Sequence, residues 1–130
     1  MRKTTIALLL TSLTFVFVAV SCSKDDNGVD YTANADCTAI VATDNTYNNT
    51  IKVILDNNNC SDAGCHDAIT AAVGVDLTDY TKTKKAFESK DVLCSIHHGS
   101  GCEPMPQGGS KMSDSDINKI DCWVKNGYAQ

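Results

Sequence analysis

The chain has no excess of positive charge. Eleven Lys and Arg stand against sixteen Asp and Glu, for a net charge of −5. Such a chain cannot neutralise a run of phosphates, which excludes nucleic-acid binding as its main activity. Charge does not hold it to an anionic membrane either. There is no unbroken apolar run of the roughly 20 residues that a membrane-spanning helix needs; the longest stretch, Ile6 to Val20, is interrupted by Thr11, Ser12 and Thr14. No internal repeat is present, which excludes solenoids and arrays. Aromatic residues make up only 6% of the chain, so a core built from it is small and calls for staples, a metal or a cofactor. The two prolines are confined to one place, Pro104 and Pro106.

Cysteine, by contrast, is plentiful, with seven residues. The N-terminus explains how they can be used. Arg2 and Lys3 precede the apolar stretch, which ends at Ser21-Cys22. That is the layout of an export signal over residues 1–21, and export permits disulfides. Cys22 after Ala19-Val20-Ser21 resembles the lipobox of bacterial lipoproteins, with Ala19 where leucine is usual; the resemblance implies lipidation of Cys22. Lys24-Asp25-Asp26 resembles the basic-acidic-acidic surface-export signal found after such cysteines. Loss of Arg2 and Lys3 with the signal takes the net charge from −5 to −7. Residues 22–45 are rich in Asp, Asn and Thr and read as a lipidated tether and lead-in. Residues 46–130 read as one small packed domain.

Within that domain the apolar periodicity is helical. Tyr47, Ile51, Ile54 and Leu55 form one stripe over a helix from Thr46 to Leu55, and Asn57-Asn58-Asn59 ends it. A second helix is expected over Thr81–Ser89. Val92 to Gly109 holds Gly99, Gly101, Gly108, Gly109, Pro104 and Pro106 and reads as one long loop, of a length that is usually functional. Ser113 is an N-cap with Asp116 at the capping-box position, and Ile117, Ile120, Val124 and Tyr128 mark the face of a last helix stopped by Gly127. The expected fold class is all-α.

The segment Cys60-Ser-Asp-Ala-Gly-Cys65-His66 carries the chemistry. A structural zinc site needs four Cys or His ligands in close pairs; this run supplies at most three, and no second tight pair follows. A Cys60–Cys65 disulfide would close a tight loop and leave His66 incidental. The third possibility is covalent haem, whose attachment run is two cysteines with a histidine directly after the second. The cysteines bond the haem vinyl carbons and the histidine becomes the proximal iron ligand. The spacing of four, in place of two, is a minority variant, and Ser61 to Gly64 are small or turn-favouring residues suited to bulging outwards. A distal ligand would come from Met105, Met112 or the His97–His98 pair. Met105 lies between Pro104 and Pro106, whose fixed φ makes a stiff strap. His97 and His98 read as solvated loop residues, and Met112 as a core or capping contact.

With these pieces in order, residues 50–128 resemble a family of single-haem c-type cytochrome domains of exported and lipid-anchored bacterial proteins. The shared elements are the Cys60-x4-Cys65-His66 run, Leu77-Thr-x-Tyr80, Pro104-Met105-Pro106 with Gly108-Gly109, Ser113-Asp-Ser-Asp-Ile117, and Ile120-x-x-Trp123-Val-x-x-Gly127. The resemblance implies a class I-like cytochrome c fold of three to four helices around one covalent haem c. It implies thioether bonds at Cys60 and Cys65, iron ligation by His66 and Met105, and electron transfer between redox partners at the cell envelope rather than enzymatic turnover. Relatives often carry cysteine where Asp116 stands, paired with one just before the Pro-Met-Pro strap; that partner is absent here. Cys37, Cys94, Cys102 and Cys122 remain and allow three pairings. Cys122 lies about 140° round the last helix from Ile117, on the outer side, where Cys37 of the lead-in can reach it, and Cys94–Cys102 would then close the loop before Met105. Lys82, Lys84, Lys85 and Lys90 form a cluster that either docks an acidic partner or is a solvated helix face. The competing reading is a haem-free surface binding module stapled by disulfides.

Overall fold

A computed structural model describes residues 28–130. The expected export signal, Cys22 and the Lys24-Asp25-Asp26 segment lie outside the described residues. The regular elements of the described residues are all helical, with no strand among them. A π-helical turn, Tyr47–Ile51, runs directly into α1, Lys52–Asn57. A short 3-10 turn, Ala72–Gly74, precedes α2, Tyr80–Ser89; then come α3, Val92–His97, and α4, Asp114–Lys125.

The starts of these helices follow from side-chain chemistry. Thr46 accepts a hydrogen bond from the Asn49 amide, Asp79 from Lys82, and Ser113 from Asp116, each satisfying an amide with no helical partner. Asp116 completes only half of a capping box, since its carboxylate faces Lys119 at 3.9 Å. Three of the four α-helices, α1, α3 and α4, end in the same way. In α4 the Gly127 amide bonds the Val124 carbonyl at 3.0 Å, and the Tyr128 amide bonds that of Trp123 at 2.9 Å. This is a Schellman motif, and Gly127, at φ +86°, occupies the left-handed position. Asn59 does the same for α1 at φ 55°, and His98 for α3 at φ 54°.

The core gathers on Trp123, which is 1% exposed. Its indole lies edge-on to Phe87 and Tyr128 and tilted against Tyr47. Ile51, Leu55, Leu77, Ile96, Met112, Ile117 and Ile120 fill in around it. The backbone C-terminal to α4 is folded back onto this centre. The Ala129 carbonyl accepts both the Trp123 Nε1–H, at 2.7 Å, and the Tyr47 amide, at 2.8 Å. Tyr80 Oη donates to the Tyr128 carbonyl at 2.8 Å.

One expectation is corrected. The stretch Val92–Gly109 is not one loop: its first six residues form α3, because Leu93 and Ile96 have a core to enter. Cys122 lies on the side of α4 that the lead-in covers and is 0% exposed. Cys37 and Cys122 form a disulfide across 85 residues of sequence. Asp36 and Asn118 exchange two hydrogen bonds, and buried Asn45 donates to the Lys119 carbonyl at 2.9 Å. Residues 28–45 carry no helix, yet they are fastened along α4. Tyr31, also from this segment, closes over Gly99 so tightly that a β-carbon there would strike its ring.

Gly127→Ala should destabilise the fold by about 1 kcal/mol, the cost of a left-handed residue with a β-carbon, read as a lower urea midpoint at unchanged slope.

Candidate haem-attachment site

α1 delivers the first cysteine. Its left-handed end at Asn59 lets the Cys60 amide bond the Leu55 carbonyl at 2.9 Å, so Cys60 leaves the helix in a fixed direction. The chain then loops. The Cys65 amide bonds the Asp62 carbonyl at 3.0 Å, and the His66 amide returns to the Cys60 carbonyl at 3.1 Å. That last bond closes the six-residue spacing and sets Cys60, Cys65 and His66 on one turn. Asp62, Ala63 and Gly64 project into solvent, where two extra residues do not disturb the closure.

Three contacts hold the histidine. Its carbonyl accepts from the Leu77 amide at 2.9 Å, and its Nδ1 lies 3.1 Å from the Val75 carbonyl. A carbonyl only accepts, so Nδ1 carries the hydrogen and Nε2 the lone pair. A carbonyl on the far ring nitrogen is the usual support of a metal-binding imidazole. The next residue, Asp67, fixes the following loop: its carboxylate accepts from the amides of Gly64 at 2.9 Å, Ile69 at 2.8 Å and Thr70 at 3.1 Å. The Thr70 bonds above all, then that from Ile69, hold its pKa well below the ordinary carboxylate range.

The two cysteines of this turn differ from the rest. Cys37–Cys122 and Cys94–Cys102 are disulfides, whereas Cys60 and Cys65 keep free thiols. Burial pushes the Cys60 thiol up to about 11, with Cys65, Asp56 and Asp62 acting in the same direction. At neutral pH the metal-free thiol stays protonated, which does not suit an exchange nucleophile. Among the described residues no three His, Cys, Asp or Glu side chains gather in a metal-binding group.

Beyond His66 the loop is apolar and uncovered. Ile69 is 96% exposed and Val73 82%. Val73 and Ala71 also have positive φ, 50° and 38°, a conformation costly for residues with a β-carbon and commonest where a ligand is held. This loop adjoins an open cleft of about 540 Å3 lined by Gly74, Asp76, Lys82, Lys85 and Lys90. Lys82 is paired with Asp76 at 2.9 Å, and Lys84 with Glu88.

Met105 lies on a second loop with its own supports. Its amide bonds the Ser95 carbonyl at 3.0 Å, and its carbonyl accepts from His98 Nε2 at 3.0 Å. Cys94–Cys102 ties this loop to α3. Met112, the other methionine considered for the distal position, is 5% exposed and part of the core. The histidines correct the expectation of solvated loop residues. His97 is half-buried, bonded to both oxygens of buried Asp121 at 2.9 and 3.1 Å, with its ring tilted by 35° against that of Tyr31. His98 is half-buried against the Met105 carbonyl.

Sequence reasoning missed Asp67, Val75, Ser95 and Asp121. Asp67, three residues before Thr70, has the side chain of a turn former, which was a usable signal. Val75 and Ser95 act through carbonyls, and Asp121 reads as one more acid on a helix.

No family model matches the chain, and neither a curated protein nor a solved structure does.

Replacing Asp67 by Ala removes the acceptor for three amides. The amides of Gly64, Ile69 and Thr70 should then exchange hydrogen faster, with α4 unaffected. In the unaltered chain, the contribution of Asp67 is fully present above about pH 4. It fades only as pH falls through its lowered folded-state value, so loop protection should outlast the titration of ordinary carboxylates.

Proposed function

We propose that this chain is a single-haem c-type cytochrome, exported and held at the cell envelope by a lipid on Cys22, that carries electrons between redox partner proteins. The observation that carries this reading is the sorting of the cysteines. Four of the six described are closed as disulfides, and the two that keep thiols belong to the one run followed directly by histidine. That histidine has its Nδ1 occupied by a backbone carbonyl and its Nε2 available.

The residues fit the group. Cys60 and Cys65 would hold it by thioethers: each S–H adds across a vinyl double bond, sulfur to one carbon and hydrogen to the other, with no net oxidation. His66 Nε2 and the Met105 sulfur are the donors typical of an electron-carrying haem iron, and Ile69 and Val73 offer apolar surface to a porphyrin. In the class I-like arrangement that the resemblance implies, the four helices would wrap this one group, with Met105 supplied from the long Gly/Pro loop. Bound haem supplies a one-electron couple.

The protein's part is to tune and shield that couple. A methionine sulfur favours the ferrous state and raises the potential relative to a second histidine. Burial acts in the same direction, because the oxidised centre carries one more positive charge. The acidic surface opposes both weakly, through screening solvent. Ligation by both His66 and Met105 would leave the iron no open position for turnover. The haem-free module calls for a third disulfide between Cys60 and Cys65, where free thiols stand; the two disulfides present suit either reading.

Full-length protein produced with haem-maturation machinery should gain the mass of one haem and show a c-type reduced spectrum. A mass without haem, with three disulfides, refutes the assignment and favours the haem-free module. In the loaded protein, Met105→Ala should abolish the weak far-red sulfur–iron band of the ferric form and lower the potential; a surviving band points to another distal ligand.

A further inference from the structure

We propose that His98 is a positioning residue that holds Met105 at the iron, with His97 anchoring it to the core through Asp121. This rests on Met105 being the distal ligand.

The strap from Gly99 to Gly109 has no helix and contains four glycines, so it needs fixing from outside. Cys102 is tied to Cys94, but the tie ends three residues before the sulfur that must be placed. Pro104 and Pro106 have no N–H to offer. The nearest backbone N–H to the sulfur is therefore that of Met105 itself, and α3 with its capping residue grips both this amide and the Met105 carbonyl. Ser95 accepts from the amide at 3.0 Å, and His98 Nε2 donates to the carbonyl at 3.0 Å. A carbonyl again identifies the donor, so His98 carries its hydrogen on Nε2.

The backbone at His98 argues that the imidazole has a purpose. It is the left-handed residue that ends α3, at φ 54°, a position that glycine fills at lower cost. A histidine there gives up cap stability and gains a hydrogen bond to the strap. Its neighbour turns the other way. His97 Nε2 bonds both oxygens of Asp121, which is 4% exposed, and Tyr31 covers the ring at 5.0 Å. Asp121 sits on α4 between Ile120 and Cys122. The adjacent histidines thus link the strap to α4, one gripping each side.

The haem-loaded, full-length protein tests this with three variants. His98→Gly suits the left-handed cap, so its urea midpoint should match or exceed that of the parent. Its ferric far-red sulfur–iron band should nonetheless weaken, and imidazole should bind the ferric iron roughly three- to tenfold faster, as expected for losing one hydrogen bond that keeps the sulfur in place. His98→Gln places an amide N–H near the same point and should restore the band and the slower rate. A parent-like band and imidazole rate in His98→Gly overturn the role of His98, as does a His98→Gln variant as loose as His98→Gly. Met105→Ala separates the two levels: loss of its band together with an unaffected His98→Gly refutes only the positioning role, whereas a band that survives Met105→Ala refutes the ligand assignment beneath it.

Discussion

The packing of Trp123 is the contact on which the rest of the molecule depends. A domain this small has few large side chains to bury, and its single indole meets Tyr47 from the first turn, Phe87 from α2 and Tyr128 from the C-terminal tail. The indole N–H would be costly to bury alone; its bond to the Ala129 carbonyl removes that cost and folds the tail over the core. The same carbonyl takes the Tyr47 amide, so one acceptor joins the start of the first helical turn to the end of the last helix. α1 and α3 pack on this assembly, and from their ends the two loops of the candidate site emerge.

How they emerge is set by helix termination. A Schellman end fixes the direction of the chain for two residues beyond the last turn. In α1 it aims Cys60; in α3 it turns the backbone so that His98 faces the Met105 strap; in α4 it sends Tyr128 back to accept from Tyr80. Only α4 uses glycine for the left-handed residue. Asn59 tolerates that conformation through its short polar side chain, and His98 accepts it at a cost.

The two halves of the site are stiffened by different means. The half with Cys60, Cys65 and His66 is held by hydrogen bonds to the Val75 carbonyl, the Leu77 amide and the Asp67 carboxylate. The half with Met105 is held by a disulfide and by α3. In the proposed electron carrier, ligands that shift little between the two charge states would keep the reorganisation small, and rigid, separately anchored loops would serve that end.

The first, second and last helices, the Ser113 cap and the Asn and Gly127 stops were legible in the sequence because they depend on local chemistry: the period of apolar side chains, a Ser at the start, an Asn or Gly at the end. The Cys60–His66 run was legible because its residues lie close in sequence. α3 was not, since glycines and prolines further along Val92–Gly109 masked a single helical turn and a half whose stability comes from burying Leu93 and Ile96. The roles of His97 and His98 were equally hidden: histidines in a glycine-rich stretch look solvated until Asp121, 24 residues away in sequence, and the Met105 carbonyl are brought beside them. The sequence by itself therefore determined the local elements and the short-range motif. Only the tertiary structure decided which cysteines lie paired, which face of α4 is covered and what supports each ligand, because those depend on backbone carbonyls and distant partners that no local spacing records.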